Sequence, residues 1–210
     1  MGRNKIPLWV KFSYGGAEGA NSLIFTLFYV FGMFFLTDVA KLDPTFAGIV
    51  LMTGTLWDAF TDPIIGILSD RTKSRWGRRR PYLFAVALPY GIISWLLFTD
   101  FNLGLIWAKV YYLVMVFFYF TAYTFLNVPH TALAAEMTQD YDERTSLVSF
   151  RAGWSQVTSV IAGGLPLILA DYFTRALGTK EWGWSGMALL LGMVSVPMIL
   201  ITWRATRGYE

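Results

Sequence analysis

Long apolar runs, broken by short polar or charged segments, dominate the chain. A helix needs about 20 mostly apolar residues to cross roughly 30 Å of hydrocarbon. Six stretches approach that length, at about 17–37, 45–69, 82–98, 103–134, 146–170 and 184–203. The breaks between them carry turn chemistry or charge: Asp43-Pro44, the basic run 70–80, Asp100 with Asn102, the polar segment from Glu136 to Arg144, and Asp171 to Gly183. No linker or low-complexity tract divides the chain, so the pattern predicts one all-α membrane unit over residues 1–210 with six transmembrane helices. Arg3, Lys5 and Lys11 precede no short apolar core with a small-residue cleavage site, so the first helix is expected to be its own insertion signal.

The second run departs from a purely apolar pattern. In Trp57-Asp58-Ala59-Phe60-Thr61-Asp62-Pro63 two carboxylates stand one helical turn apart. An Asp near the centre of a spanning helix costs about 2.5–3.5 kcal/mol on insertion scales, so the pair calls for a function. Gly54, Asp58, Asp62, Gly66 and Asp70 fall on one i, i+4 row, with Thr55, Thr61 and Ser69 beside it. Ile49, Leu56, Phe60, Ile64 and Ile67 form the opposite face, expected to meet lipid or packing partners.

Comparable stripes recur on helix 1 (Tyr14, Glu18, Asn21, Ser22, Phe25), helix 4 (Tyr119, Tyr123, Thr124, Asn127, His130, Thr131) and helix 5 (Arg151, Ser155, Thr158, Ser159). Four such stripes can line one cavity. Two carboxylates in low dielectric either share a proton or hold a cation between them. Oxygen-rich, thiol-free ligation suits Na⁺ or H⁺ better than a soft metal, so no metal site is expected beyond Na⁺ at Asp58 and Asp62, and no other cofactor. Glu18 fits the mouth of helix 1 as well as the cavity, and His130 beside Pro129 fits packing as well as proton transfer.

Composition and charge then set the surroundings. Hydrophobic residues make up 55% of the chain and charged ones 15%; mean hydropathy is +0.48, which places the chain in a bilayer. With no Cys there is neither a disulfide framework nor a thiolate site. Lys and Arg concentrate at the N-terminus, between Arg71 and Arg80, at Arg144 and Arg151, and at Arg204 and Arg207, with Lys41, Arg175 and Lys180 on the other side. The bias predicts both termini in the cytoplasm and the chain in the cell membrane. The net charge of +3 thus reflects topology and gives no support to a nucleic-acid partner. Trp9, Trp107, Trp182, Trp184 and Trp203 are expected to be interfacial anchors.

The run Gly66 to Tyr82, "GILSDRTKSRWGRRRPY", resembles the Gly-x-x-x-Asp-Arg…Gly-Arg-Arg signature of the major facilitator superfamily. Joined to its upstream neighbours, "WDAFTDPIIGILSDRTKSRWGRRRPY" is similar to the glycoside–pentoside–hexuronide cation symporters, the melibiose-permease-like branch. "SYGGAEGANS", "LTDVAKL" and "NVPHTALAAEMTQDYDERT" match further along. The resemblance covers nearly the whole chain but only the N-terminal six-helix half of such a transporter, and it implies one half of a major-facilitator fold, a 3+3 inverted repeat.

It further implies a cation site of Asp58, Asp62, Thr61 and Thr124, and solute contacts at Asn21, Ser22, Tyr123, Asn127, Thr131 and Arg151. Gly66, Asp70, Arg71, Gly77, Arg78 and Arg79 would form a cytoplasmic gate. The melibiose permease has a basic residue and an aspartate where this chain has Asn21-Ser22, and an aspartate at Asn127, which weakens the case for a galactoside. The implied activity is Na⁺- or H⁺-coupled transport of a small polar solute, a sugar or glycoside, by alternating access, with no enzyme chemistry. The implied partner is a C-terminal half or a second copy of the chain. The alternatives are a non-transporting fragment or accessory protein, or an intramembrane aspartate enzyme.

Overall fold

The computed structural model describes residues 5–209, and among them every regular element is helical. Helix α1 (Leu8–Phe34) runs on through a π-helical turn, Phe35–Val39. It is followed by α2 (Pro44–Arg71), α3 (Arg80–Leu97), α4 (Leu105–Met137), α5 (Tyr141–Leu177) and α6 (Lys180–Ala205). Local chemistry explains the boundaries. Asp43 caps α2 by accepting from the Phe46 N–H, with Pro44 in the first turn where its missing N–H costs nothing. Asp140 accepts from the Asp142 and Glu143 N–H groups at the start of α5, and Gly178 ends that helix at φ +85°. Thr179 caps α6 one residue later.

Six helices were expected and six are present among the described residues, but several begin earlier than the apolar runs. α1 starts at Leu8 instead of near residue 17, because Val10 and Tyr14 are buried against Leu133, Ala134, Met137 and Leu147 while Lys11 pairs with Glu143 at 2.9 Å. α5 likewise gains a polar first turn, and α6 begins at its Thr179 cap. Those turns are amphipathic, so a search for apolar runs passes over them. Among the described residues five helices are long and apolar enough to cross a membrane; α2, at 28 residues, has the length but not that apolar character. Its polar row is the reason. The chain is a multi-pass membrane protein.

Packing follows a repeat. α1 packs on α5 and α6, α4 packs on α2 and α3, and α3 packs on α6. Exchanging α1 with α4, α2 with α5 and α3 with α6 reproduces the same contacts, as expected of two inverted three-helix units. At the α3–α6 crossing Gly91 faces Gly192: a Cβ on either would sit about 2.6 Å or less from the other's carbonyl oxygen, so only glycine permits the approach. One contact breaks the symmetry. α5 packs on α6, whereas no comparable packing joins α2 to α3 among the described residues.

An aromatic core of Phe28, Phe35, Tyr90, Tyr112, Tyr119 and Phe120 fills the centre. The apolar face of α2 points outward, with Phe60 and Ile64 well exposed, as a lipid-facing surface requires. Trp9, Trp107 and Trp182 are exposed, in keeping with anchoring. Trp184 is not. It is 3% exposed and packs among Phe31, Phe35 and Phe98, because one turn inside α6 its ring turns toward the core.

Candidate cation and solute site

The α2–α4 contact brings together all four residues of the expected cation site. Gly54 lets α2 lie directly on the ring of Phe120, and Trp57 Nε1 donates to Thr121 Oγ1 at 2.9 Å. Between these contacts and the helix end, Thr124 Oγ1 lies 2.8 Å from Asp58 Oδ1 and 3.1 Å from Thr61 Oγ1. Thr61 and Thr124 are buried, and both carboxylates are half-buried. Asp62 Oδ1 is buried and has no hydrogen-bond partner. An ionised oxygen so placed is strongly disfavoured unless a proton or cation joins it. Two carboxylates and two hydroxyls make an all-oxygen set suited to a hard monovalent cation or to a shared proton.

A second charged group forms where α1, α4 and α5 meet. Arg151 Nε donates to Glu18 Oε2 at 2.5 Å, and His130 Nδ1 lies 3.7 Å from the same oxygen. His130 Nε2 is 2.9 Å from the Tyr14 carbonyl oxygen, which can only accept, so Nε2 carries a proton. Tyr14 returns a hydrogen bond to the His130 carbonyl at 3.0 Å. His130 is therefore a satisfied packing residue on one nitrogen and faces a carboxylate with the other.

Of the expected solute residues, Ser22 borders this group, its Oγ 3.5 Å from Glu18 Oε1. Ser22 Oγ is 2.7 Å from Ser155 Oγ, and Thr26 donates to Ser159 Oγ at 3.2 Å, so the stripes of α1 and α5 close on each other. Asn21 is buried and accepts from Tyr90 OH at 3.3 Å. Tyr123 is half-buried and stacks on Phe25, with ring centroids 5.0 Å apart, one position before Thr124 on α4. Asn127 is half-buried one turn further along α4, and Thr131 is exposed, donating to the Asn127 carbonyl at 2.8 Å. Tyr119, on the same expected stripe, is instead core: fully buried, it donates to the Ile24 carbonyl.

Of the residues expected to form a gate, Asp70, Arg78 and Arg79 cluster at the basic end of the bundle. Arg79 pairs with Asp70, donates to Ser69 Oγ at 2.5 Å and reaches Glu136 Oε1 at 3.3 Å. Arg78 reaches the same Glu136 oxygen at 3.0 Å. Gly77 turns the chain at φ +83°, a conformation that favours glycine, which swings the two arginines back over α2 and α4. Together Asp70, Gly77, Arg78, Arg79 and Glu136 line a polar groove of about 610 Å³. Arg71 is exposed, and Gly66 faces Val128 with room for a methyl group.

A family model described as MFS/sugar transport protein matches residues 13–210. An uncharacterized symporter of Synechocystis is 37% identical over the whole of this chain and 39% of its own length. The inner membrane symporter YicJ of Escherichia coli is 31% identical over 94% of the chain and 42% of its own length. The isoprimeverose transporter of Lactiplantibacillus pentosus is 29% identical over 98% of the chain and 43% of its own length. The chain belongs to the glycoside–pentoside–hexuronide symporter branch of the major facilitator superfamily. This is a family of transporters, not enzymes. The chain spans less than half the length of these curated relatives and corresponds to their N-terminal part.

Two residues escaped the sequence reading of this symporter-family site. Glu136 completes the ion-pair cluster with Arg79, joined by Ser69 of the expected α2 stripe, and Tyr90 enters from α3, a helix with no polar stripe. Glu136 stood in plain view as a carboxylate beside the end of an apolar run. Tyr90 gave no signal, since a tyrosine among apolar residues is ordinary core.

Proposed function

We propose that this chain is the N-terminal half of a cation-coupled symporter for a small polar solute, a sugar or glycoside, working by alternating access. The observation that carries the reading is the cluster of Asp58, Asp62, Thr61 and Thr124 at the α2–α4 contact, with Asp62 Oδ1 buried and unpartnered. Na⁺ or H⁺ neutralises the pair. Tyr123 passes the change to the solute side, where Asn21, Ser22, Asn127, Thr131 and Arg151 contact the sugar. The isoprimeverose transporter among the relatives supports a sugar as solute. The Arg79 cluster with Gly66, Asp70, Arg71, Gly77 and Arg78 acts as a gate whose ion pairs hold in one state only. A C-terminal half covers the polar faces of α1, α2, α4 and α5, which would otherwise open onto lipid; a second copy of the chain is the alternative partner. Both termini lie in the cytoplasm of a cell-membrane protein.

In the assembled transporter, Asp58→Asn and Asp62→Asn should each abolish gradient-driven accumulation while leaving solute exchange measurable, because they remove the ion's differential interaction with the two states. Normal accumulation by both variants would make the pair structural. A cysteine at Thr72 should react with an impermeant reagent only from the cytoplasmic side, and one at Thr179 only from outside; the reverse pattern would invert the orientation.

A further inference from the structure

His130 is the one histidine of the chain, and each of its ring nitrogens has a defined neighbour. Nε2 donates to the Tyr14 carbonyl oxygen at 2.9 Å, and the Tyr14 ring packs on the imidazole with centroids 4.6 Å apart, so turning the ring over forfeits that bond. Nδ1 is thereby aimed at Glu18 Oε2, 3.7 Å away. With its only proton on Nε2, a neutral ring presents a lone pair at Nδ1, and two acceptors face each other. A bridging water does not relieve this, because hydrogen bonds of about 2.8 Å to each side would hold the two atoms roughly 4.5 Å or more apart. The His130 side chain is 1% exposed, so the imidazole is enclosed by this half of the molecule alone, whatever covers its open side.

One proton satisfies the geometry. On Nδ1 it makes the contact an attraction between imidazolium and carboxylate, and on Oε2 it makes a neutral hydrogen-bonded pair; either way it belongs to both groups. The surrounding elements supply few competitors. From α1, Tyr14 and Glu18 face His130, and from α5 comes Arg151, whose Nε lies 2.5 Å from the same Oε2. α3 contributes the neutral Tyr90, bonded to Asn21, and α6 the neutral Thr202, bonded to the Ala17 N–H. Tyr123 stands about two turns earlier on α4. The carboxylates of α2, Asp58 and Asp62, belong to the other side of α4: Gly66 of α2 faces Val128, two residues and about 200° round the helix from His130.

We infer that Glu18 and His130 form a second ion-binding site, one that holds a single proton between Glu18 Oε2 and His130 Nδ1 and is separate from Asp58 and Asp62. Arg151 and that proton share one carboxylate oxygen, so they compete: the proton weakens the hold of Glu18 on Arg151, and Arg151 opposes the proton. The site itself stands on this geometry. Its consequence for the solute, that proton uptake releases Arg151 toward the cavity, rests on the transport reading above.

Histidine-ring nitrogen magnetic resonance on the assembled transporter in nanodiscs reads the site directly. His130→Gln, whose amide can still donate to the Tyr14 carbonyl, identifies the His130 signals by their loss. Between about pH 9 and about pH 5, Nδ1 should gain one proton while Nε2 keeps its own. Glu18→Gln should raise the proton concentration that half-fills Nδ1 by roughly tenfold or more, the usual effect of removing an opposite charge within about 4–6 Å. Arg151→Gln should lower it, and Asp58→Asn with Asp62→Asn should leave it within about twofold, as expected of separate sites. Should Glu18→Gln fail to fold, Glu18→Asp, which withdraws the carboxylate by one carbon, should move the half-filling point the same way by less. An Nδ1 without a proton across the whole range, or a half-filling point indifferent to Glu18, would overturn the inference. A point that follows Asp58 and Asp62 would assign the proton to α2 and overturn it equally. The readout is protonation and not uptake, so an assembly that accumulated no sugar would count against the transport reading and leave the proton site standing.

Discussion

α2 and α5 occupy equivalent places in the inverted repeat, yet they are held very differently. α5 is fixed on two sides. On α1, Gly15 and Gly19 leave room for the Trp154 ring, and the Ser22–Ser155 and Thr26–Ser159 pairs continue the seam. On α6, Gly183 and Gly186 press against Ala170, Thr174 and Phe173. α2 has one such side, on α4. Toward α3 it is joined at its end, where Arg79 gathers Asp70 and Ser69 and Thr72 Oγ1 meets Tyr82 OH at 2.7 Å. The helix that carries Asp58 and Asp62 is therefore the one with the fewest packed neighbours among the described residues. In the transport proposed above, a change in charge at Asp58 and Asp62 acts on an element whose position is weakly over-determined, as a helix that responds to an ion requires.

The largest expected effect comes from cutting the tether. Arg79 is 8% exposed and Glu136 is mostly buried, so Arg79→Ala removes a buried cation from a carboxylate cluster, a change that typically costs about 3–5 kcal/mol. Arg78 still reaches Glu136, which puts the expectation at the low end. Thermal unfolding in detergent should show the loss, and amide exchange should quicken in α2 while α5 changes little. Equal quickening in both helices would mean that α2 is not selectively tethered.

The second effect sharpens the comparison from the α5 side. A Cβ at Gly183 would lie 2.7 Å from the Ala170 carbonyl oxygen and closer still to Thr174 Oγ1. Gly183→Ala should force α5 and α6 apart at a cost of about 1–3 kcal/mol, the usual range for overpacking. If that variant unfolds at the same temperature as the parent, α5 is not clamped as described.

How much of this contrast the sequence carries depends on which link is asked. The apolar runs place all six helices, since a bilayer demands about 20 apolar residues per crossing. The i, i+4 row on α2 places Asp58, Asp62 and their outward-facing neighbours, because helical periodicity fixes faces without reference to other elements. Thr61 and Thr124 come from the family resemblance, and the structure brings their hydroxyls to 3.1 Å. Partnerships across distant segments are a different matter. That Glu18 binds Arg151, that Lys11 binds Glu143, and that Glu136 takes up Arg78 and Arg79 depends on helix order around the bundle. No local pattern encodes that order, so these charges could be seen only as polar positions awaiting partners. The missing α2–α3 packing was equally illegible, because it is a property of a helix pair.

A third effect tests the cation cluster within α2 and α4. Thr124→Ala removes the hydroxyl beside Asp58 Oδ1 and Thr61 Oγ1 but leaves both carboxylates. Gradient-driven accumulation should persist at a higher half-saturating cation concentration, roughly fivefold to tenfold, as expected for about 1 kcal/mol of lost ligation. Thr158→Ala, on α5, removes a hydroxyl that bonds only within its own helix, at 2.8 Å to the Trp154 carbonyl, and should leave cation dependence unchanged. A shift in both variants would place the effect in helix packing generally.

The smallest stability effect is expected at Gly66, and it separates gate from scaffold. A Cβ there would meet Val128 Cγ1 at 3.9 Å, an ordinary contact, in contrast to the collision at Gly183. Replacing a mid-helix glycine by alanine also relieves backbone entropy, worth roughly 0.5–1 kcal/mol. Gly66→Ala should therefore unfold at the parent temperature or slightly above it. If the proposed gate works by sliding α2 along α4, transport should nevertheless slow, because Gly66 sits one turn before Asp70 on the α2 face that meets Val128. A methyl group that fits the resting contact need not fit the sliding one. Uptake at the parent rate in a variant of parent stability would remove Gly66 from the gate and leave the Arg79 cluster as the whole of it.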